Sequence, residues 1–210
     1  MNQTEIADCE DKLLAALDDP SAPLPELLDT FKKLVAAVPE KLPDFFELLK
    51  DRATAARDIP GLIGLFRIAA EVSIERNRDA AFRAECLREL GSMAEARRDR
   101  HFGALLRNAG FDKDLALAEC LRRLDVLRSL APGVLCMDRS RGFGVVGGID
   151  EFAQQVIVDY EAGRGHRLGL GYAAECLNVL DEDHLFAVRH CMPERMAELV
   201  KNQPVEVVKM

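Results

Sequence analysis

The sequence has no long run of apolar residues. No window approaches the roughly 18 uninterrupted apolar residues that a membrane-spanning helix requires. The opening residues, MNQTEIADCEDKLLAAL, are polar and acidic, with neither a basic n-region nor an apolar h-region. These two absences exclude a spanning helix and an ordinary secretory signal. We therefore expect a cytoplasmic protein with no membrane partner.

Paired cysteines are missing as well. The six cysteines are scattered, with no Cys-x-x-Cys pair, and most stand where a small apolar residue would fit, as in AECLREL and AAECLNVL. This spacing favours neither a disulfide framework nor a structural zinc site. We expect buried thiols that pack as small apolar side chains.

Positive charge is not in excess in either part of the chain. The net charge is −8; residues 1–130 hold 20 Lys and Arg against 24 Asp and Glu, and residues 131–210 hold 8 against 12. Affinity for a nucleic-acid backbone rests mainly on cationic side chains. The charge balance therefore favours a protein partner over DNA or RNA.

Helical periodicity dominates the first part of the chain. Apolar residues recur at i, i+3 and i+4, and prolines and turns separate the periodic stretches. The predicted helices are one capped by Thr4, one from about Pro25, one over Asp44–Arg57, one from Pro60, one over Asp79–Leu90, one over Ser92–Asn108, and one from Asp112 or Asp114 to Pro132. The pattern indicates a helical bundle or a helical-repeat-like domain.

The sequence pattern changes from helical to strand-like at Pro132-Gly133. Nine of the fourteen glycines fall between Gly133 and Gly171, and the hydrophobic period shortens to about two residues. The stretches VLCM, FGVVGGI, QQVIVDY and HRLGLGYA predict short strands, followed by a helix over Met192–Asn202. The predicted fold class is α+β, with an all-α domain over 1–131 and a small SH3- or Tudor-like β barrel with a C-terminal helix over 132–210.

Three patterns invite an enzymatic interpretation. The run Gly142-Phe-Gly-Val-Val-Gly147 matches GxGxxG, but a strand follows it where dinucleotide binding needs a helix N-terminus. His166 and His184 stand near charged residues without the spacing of a metal site or a catalytic triad. We therefore predict no cofactor, no metal and no catalytic residue, and a protein that is not an enzyme.

A surface is the better interpretation of the hairpin around VDYEAGRGHRLGLGYA. Aromatic and arginine side chains are the usual anchors of protein interfaces. The candidate partner-binding residues are Arg141, Phe143, Tyr160, Arg164, His166 and Arg167. Core tyrosines beside solvated arginines remain an alternative. A nucleic-acid-binding barrel is another, with Arg139, Arg141, Arg164 and Arg167 on the backbone.

The stretch from Arg141 to His184 carries a family pattern. A Gly-Phe-Gly-Val-Val strand leads to Val158-Asp159-Tyr160, then to a Gly165-His166 step, Tyr172-Ala173 and a segment from Leu177 to His184. This order resembles the β segment in the N-terminal extension of long Gre-type bacterial transcription elongation factors. The later PERMAEL stretch and the Gln203-Pro204 step also look like the helix and proline stop of such extensions.

The resemblance implies an accessory module of the transcription machinery that contacts RNA polymerase or an associated protein. It covers about 75 residues, and the helical block matches only in general character. The long Gre-type factors continue into a coiled coil and a globular domain, whereas this sequence stops at Met210. Transcript cleavage is therefore not part of the expectation.

Overall fold

The computed structural model describes residues 2–202, and the chain divides into two compact units, Met1–Leu124 and Asp125–Met210. The border lies inside a helix, whereas the sequence-based border stands at the end of that helix, between residues 131 and 132. Among the described residues there are eleven α-helices and a five-stranded antiparallel sheet. The predicted α+β class is therefore confirmed.

Helices make up the first unit. Their bounds are α1 Gln3–Asp18, α2 Leu24–Ala37, α3 Leu42–Ala55, α4 Ile59–Val72, α5 Ile74–Arg78, α6 Ala80–Arg97, α7 Arg100–Asn108 and α8 Leu117–Ser129, with a 3₁₀ turn over Pro39–Lys41. Helix α8 begins later than the predicted Asp112 or Asp114, and α5 was not predicted at all.

Side-chain caps decide where several helices begin. Asn2, and not the predicted Thr4, caps α1: its Oδ1 accepts from the Glu5 amide at 2.9 Å, and the Glu5 carboxylate accepts from the Asn2 amide at 2.8 Å. This reciprocal pair satisfies two amides that the helix start leaves without intrahelical partners. Asp58 caps α4 in a similar way, accepting from the Gly61 amide at 2.9 Å.

The break between α6 and α7 differs from the prediction. Helix α6 runs through Gly91 and ends only at Arg98, which takes the left-handed conformation with φ 55°. Asp99 then caps α7, its Oδ1 accepting from the Phe102 amide at 2.8 Å. The predicted break before Ser92 was wrong, because a single glycine weakens a helix without ending it.

The core of the helical unit is built on α4. Nine of the fourteen residues of α4 are buried, so the helix is enclosed by its neighbours. Three phenylalanines from α3, α4 and α6 meet there: the ring of Phe46 lies 5.3 Å from that of Phe66 and 5.4 Å from that of Phe82, and the last two are 5.2 Å apart. These tilted and edge-on contacts lie in the favourable range for aromatic pairs.

Charged side chains fix the start of α8. The buried Arg83 of α6 donates to the carbonyls of Phe111 and Leu115, at 3.3 and 2.5 Å, and so holds the segment before α8. Within α8, Glu119 accepts from both Arg122 and Arg123, with the shortest contacts at 2.7 and 2.8 Å. Hydrogen bonds from Arg122 and then Arg123 lower the pKa of Glu119 to about 2, against the opposing effect of burial.

Five short strands carry the second unit. They are β1 Leu135–Asp138, β2 Gly142–Asp150, β3 Gln155–Tyr160, β4 Gly163–Gly169 and β5 Leu177–Val179, and the helices are α9 Leu170–Cys176, α10 Leu185–Cys191 and α11 Pro193–Asn202. The strand order is β4-β3-β2-β1-β5, with every neighbour antiparallel and with β4 and β5 as the edges. Side chains of β3 alternate between buried and half-buried, as a sheet with one covered face requires.

Two details of the sheet differ from the sequence-based expectation. The β3–β4 turn is only Glu161-Ala162, so most of the predicted turn EAGRGH belongs to β4. The end of the predicted fourth strand is instead the first turn of α9. Opposite β3, the register of β2 shifts between Val146 and Gly148, a bulge that bends the strand. In the described part of the chain, no helix has both the length and the apolar character to cross a membrane.

We expect Glu119→Gln to reduce the loss of folding stability that the protein shows at low pH. The depressed pKa of Glu119 means that its carboxylate stabilises the fold fully above the ordinary value of 4.5, and that this contribution disappears as the pH falls through about 2. Urea unfolding at several pH values measures the difference. Glu119→Gln should be less stable than wild type at pH 7, and the gap should narrow towards pH 2. A constant gap would contradict the assignment.

Candidate functional site

One buried carboxylate organises the start of the sheet. Asp138, at the end of β1, is only 2% exposed. Its Oδ1 accepts from the amide and hydroxyl of Ser140, at 2.7 and 2.8 Å, and from the amide of Arg141 at 3.2 Å. Its Oδ2 accepts from the hydroxyl of Tyr160 at 2.9 Å. The same carboxylate thus closes the β1–β2 turn and ties it to the end of β3.

The electrostatics of this group follow from its contacts. Burial favours the neutral acid, but the hydrogen bonds from Ser140, Tyr160 and Arg141 together hold the pKa of Asp138 below its ordinary value of 3.8. Burial, and then the hydrogen bond to this carboxylate, raise the pKa of Tyr160 well above its ordinary value of 10. The pair is therefore a charged acceptor and a neutral donor over the whole physiological range.

Arg141, Tyr160 and His166 form a cluster over this carboxylate. The Arg141 guanidinium lies 5.7 Å from the centroid of the Tyr160 ring, within the range of a cation–π contact. One of its nitrogens is 3.1 Å from His166 Nδ1, and the imidazole meets the Tyr160 ring edge-on at 5.4 Å. Because a guanidinium only donates, His166 Nδ1 is the acceptor in this contact.

Gly163 leaves the room that the imidazole occupies. A Cβ built on Gly163 would stand 2.9 Å from His166 Nε2, closer than such atoms approach in folded proteins. A side chain at this position would require the imidazole to shift. The glycine therefore leaves space for the imidazole in its present position.

The second unit also contains an aromatic cleft, and two of its residues are close in sequence to those of the cluster. Phe143 of β2 stacks on Phe186 of α10, with ring centroids 5.9 Å apart, and its ring lies 5.4 Å from that of His190. The imidazole of His184 also stacks on the Phe186 ring, with the ring centroids 5.8 Å apart. The cleft encloses about 320 Å³ and is lined by Phe143, Glu161, Phe186, Arg189, His190 and Pro193.

The structure divides four of the six predicted contact residues between the cluster and the cleft. Arg141, Tyr160 and His166 belong to the cluster, and Phe143 forms the floor of the cleft. Tyr160 and Phe143 are 4% and 9% exposed, so they support the surface from below and offer little area to a partner.

The other two predicted residues lie on β4. Arg164 is exposed near the β3–β4 turn. Arg167 is exposed further along the strand, where it pairs with Asp150 at 3.2 Å, so its charge is already partly balanced.

The residues that suggested enzymatic chemistry lie within a strand or cap a helix. The Gly142–Gly147 run lies inside β2, and the next regular element is strand β3. His184 caps α10, its Nδ1 accepting from the Phe186 amide at 3.3 Å. All six cysteines are free thiols, and no cluster of potential metal ligands occurs among residues 2–202.

Sequence reasoning missed three residues of the site: Asp138, Phe186 and His190. The Asp138-Arg-Ser140 sequence carried a usable signal, because an Asp two residues before a Ser favours an Asx turn. Phe186 and His190 are four residues apart, which places them on one face of a helix. Their proximity to Phe143 depends on tertiary packing and has no local signature.

Comparison of the chain with protein-family models, curated proteins and solved structures gives no significant match in any of the three. The functional interpretation therefore depends on the geometry of the site and on the family pattern described for residues 141–184. That geometry comprises a preorganised arginine–histidine cluster and an aromatic cleft, both in the second unit.

Tyr160→Phe should destabilise the protein by about 1.5–3 kcal/mol, the range for a hydrogen bond to a charged group. The substitution removes the hydroxyl that satisfies Asp138 Oδ2 and keeps the ring under Arg141. Chemical denaturation measures the change, and Tyr172→Phe is the matched control, since Tyr172 is 46% exposed.

Alkaline titration of phenolate absorbance gives a second readout of Tyr160. In the wild type, one tyrosine should ionise only well above pH 10, and Tyr160→Phe should remove that step. If Tyr172→Phe removes it instead, the pKa assignment is wrong.

Proposed function

We propose that the chain is a non-enzymatic interaction module of the transcription machinery and that its second unit binds a protein partner, either RNA polymerase or an associated protein. The binding surface has two patches, one of Arg141, Arg164 and the half-buried His166, the other of Arg189, His190 and the half-buried Phe186; together we call them the docking face. The observation that carries the proposal is the presence, in one small unit, of the ordered Arg141–His166 cluster and an aromatic cleft.

The docking face has the composition of a protein interface. Arginine and aromatic side chains carry most of the binding energy in known interfaces, especially where a pocket receives an anchor from the partner. Phe143 and Phe186 offer an apolar floor to the cleft, and Arg189 lines it. Such a cleft suits a partner segment that presents an apolar or aromatic side chain next to a carboxylate.

Preorganisation supports the same conclusion. Arg141 is already held by His166 and by the Tyr160 ring, and Asp138 fixes the turn that carries it. A long side chain that is ordered before binding loses less conformational entropy when the complex forms. The hydrogen bonds under the surface thus favour binding without touching the partner.

The sheet topology fits the small barrel that the sequence predicted. The strand order is β4-β3-β2-β1-β5. The last strand of the sequence, β5, pairs with β1, and the short helix α9 precedes β5. We propose that this unit is an SH3- or Tudor-like barrel, with the bulge between Val146 and Gly148 supplying the bend of the long strand. Small barrels of this kind are common interaction modules. The link to transcription itself rests on the Gre-type pattern from Arg141 to His184.

Arg141→Ala should weaken binding to purified RNA polymerase by about tenfold, the usual loss at an interface anchor worth roughly 1.4 kcal/mol. Biolayer interferometry with the immobilised full chain measures the affinity. Arg189→Ala tests the cleft side of the docking face in the same assay. Arg128→Ala is the control, since Arg128 is exposed on α8 and absent from the docking face.

Two results would contradict the proposal. Binding that Arg141→Ala and Arg189→Ala leave unchanged would place the interface elsewhere. Absence of polymerase binding, both to the core enzyme and in cell lysate, would remove the transcription assignment and leave only the docking face to be explained.

Nucleic-acid binding through Arg139, Arg141, Arg164 and Arg167 is the second candidate. These four arginines are exposed, which is the observation in its favour. Arg167 is paired with Asp150, and residues 131–210 hold more acidic than basic residues. A fluorescence-anisotropy titration with a 20-nucleotide single strand and a duplex at low salt tests this candidate, and true binding must weaken steeply as salt rises.

A further inference from the structure

A second surface lies in the helical unit, in a groove along α6 and α7. The groove encloses about 470 Å³, within the range of roughly 300–1,000 Å³ that is usual for ligand pockets. Its floor is formed by Leu87, Gly91 and Ala94 of α6 and by Gly103 and Leu106 of α7. From Leu87 to Ala94 the floor follows α6 for two turns, about 10 Å. We call this surface the α6–α7 groove.

At two mid-helix positions in the floor, no close packing contact of the described residues requires a glycine. Glycine weakens a helix interior relative to alanine. A Cβ built on Gly61 of α4 would clash with Leu24 at 2.2 Å, so packing of the fold explains that glycine. A Cβ on Gly91 would meet nothing within 4 Å, and one on Gly103 would make only an ordinary contact with Arg107 at 3.7 Å. Both glycines face the groove, where they would let another backbone approach closely.

Arginines form the rim of the groove. Arg98, Arg100 and Arg107 line it and are exposed, and among the described residues their guanidinium groups take part in no ion pair. Of the two acidic residues at the rim, Asp99 is already engaged as the cap of α7, accepting from the Phe102 amide. The rim therefore has a net positive charge in a chain whose net charge is −8.

We propose that the α6–α7 groove binds an acidic amphipathic helix of a partner protein. The apolar stripe of that helix lies on the floor, and the two glycines allow its backbone to approach. Carboxylates beside the stripe pair with Arg98, Arg100 and Arg107. This is the helix-in-groove mode of recognition, in which an apolar face gives affinity and flanking charges give selectivity. The proposal is independent of the docking face on the second unit.

Two 18-residue peptides test the charge preference. Both carry leucine at helical spacings i, i+3, i+4 and i+7; one has glutamates and the other lysines beside the leucine stripe. Fluorescence anisotropy with the full chain should show the glutamate peptide binding at least about tenfold more tightly, with a difference that shrinks as salt screens the charges. Equal affinities, or no binding of the glutamate peptide, would overturn the proposal.

Variants of the chain test whether the peptide binds in the groove. Gly91→Leu fills the floor and should reduce binding of the glutamate peptide by tenfold or more, whereas Ala84→Leu, exposed on α6 outside the groove, should not. The double change Arg98→Glu/Arg107→Glu should reverse the preference towards the lysine peptide. Arg88→Glu, whose only described partner is the neighbouring Glu89, is the control for charge reversal. A peptide that binds Gly91→Leu as tightly as wild type occupies another surface, and the proposal fails.

Stability and self-association supply two further checks. Gly91→Ala should raise the melting temperature, by about 2–4 °C for a chain of this size, because the added Cβ meets open space. A lower melting temperature would show that the fold itself needs the glycine and would remove the argument from it. A concentration-dependent dimer that Gly91→Leu abolishes would identify a second copy as the occupant and overturn the proposed partner.

Discussion

The hydrogen bonds of the Asp138 carboxylate are the constraint on which the second unit depends. One side chain closes the β1–β2 turn through Ser140 and Arg141 and anchors the end of β3 through Tyr160. A buried carboxylate is tolerated only when donors satisfy it, and here four contacts do so. The buried Asp138 carboxylate therefore sets the position of Arg141 and, through Arg141, that of His166.

The helical unit follows a different physical logic. Its order comes from apolar packing around α4 and from the three rings of Phe46, Phe66 and Phe82. Its described polar contacts act locally: caps set where helices start and stop, and Arg83 holds the segment before α8. A unit held by distributed packing can leave one groove uncovered, since the lost contacts are a small part of the whole.

Most of the fold could be predicted from the sequence, because periodicity reports which face of an element is buried. The switch from helices to strands after Pro132-Gly133 and the strands around Val146 and Val158 follow from local patterns. The break at Arg98 could not be predicted, because a left-handed arginine has no sequence signal while Gly91 offers a misleading one. At the site, the sequence misled on the exposure of Phe143 and left that of Tyr160 open, since their burial depends on α10 and on Asp138, which lie elsewhere in the chain.

The edge position of β4 has a consequence for solubility. An edge strand presents unpaired amides and carbonyls, and a flat apolar edge invites pairing with another molecule. Here the edge carries three glycines at positions 163, 165 and 169, together with the charged side chains of Arg164 and Arg167. Charge and weak strand propensity oppose the addition of another strand and so protect the molecule from edge-to-edge aggregation. The arginines of β4 therefore oppose edge-to-edge pairing of the sheet, whatever partner the protein binds.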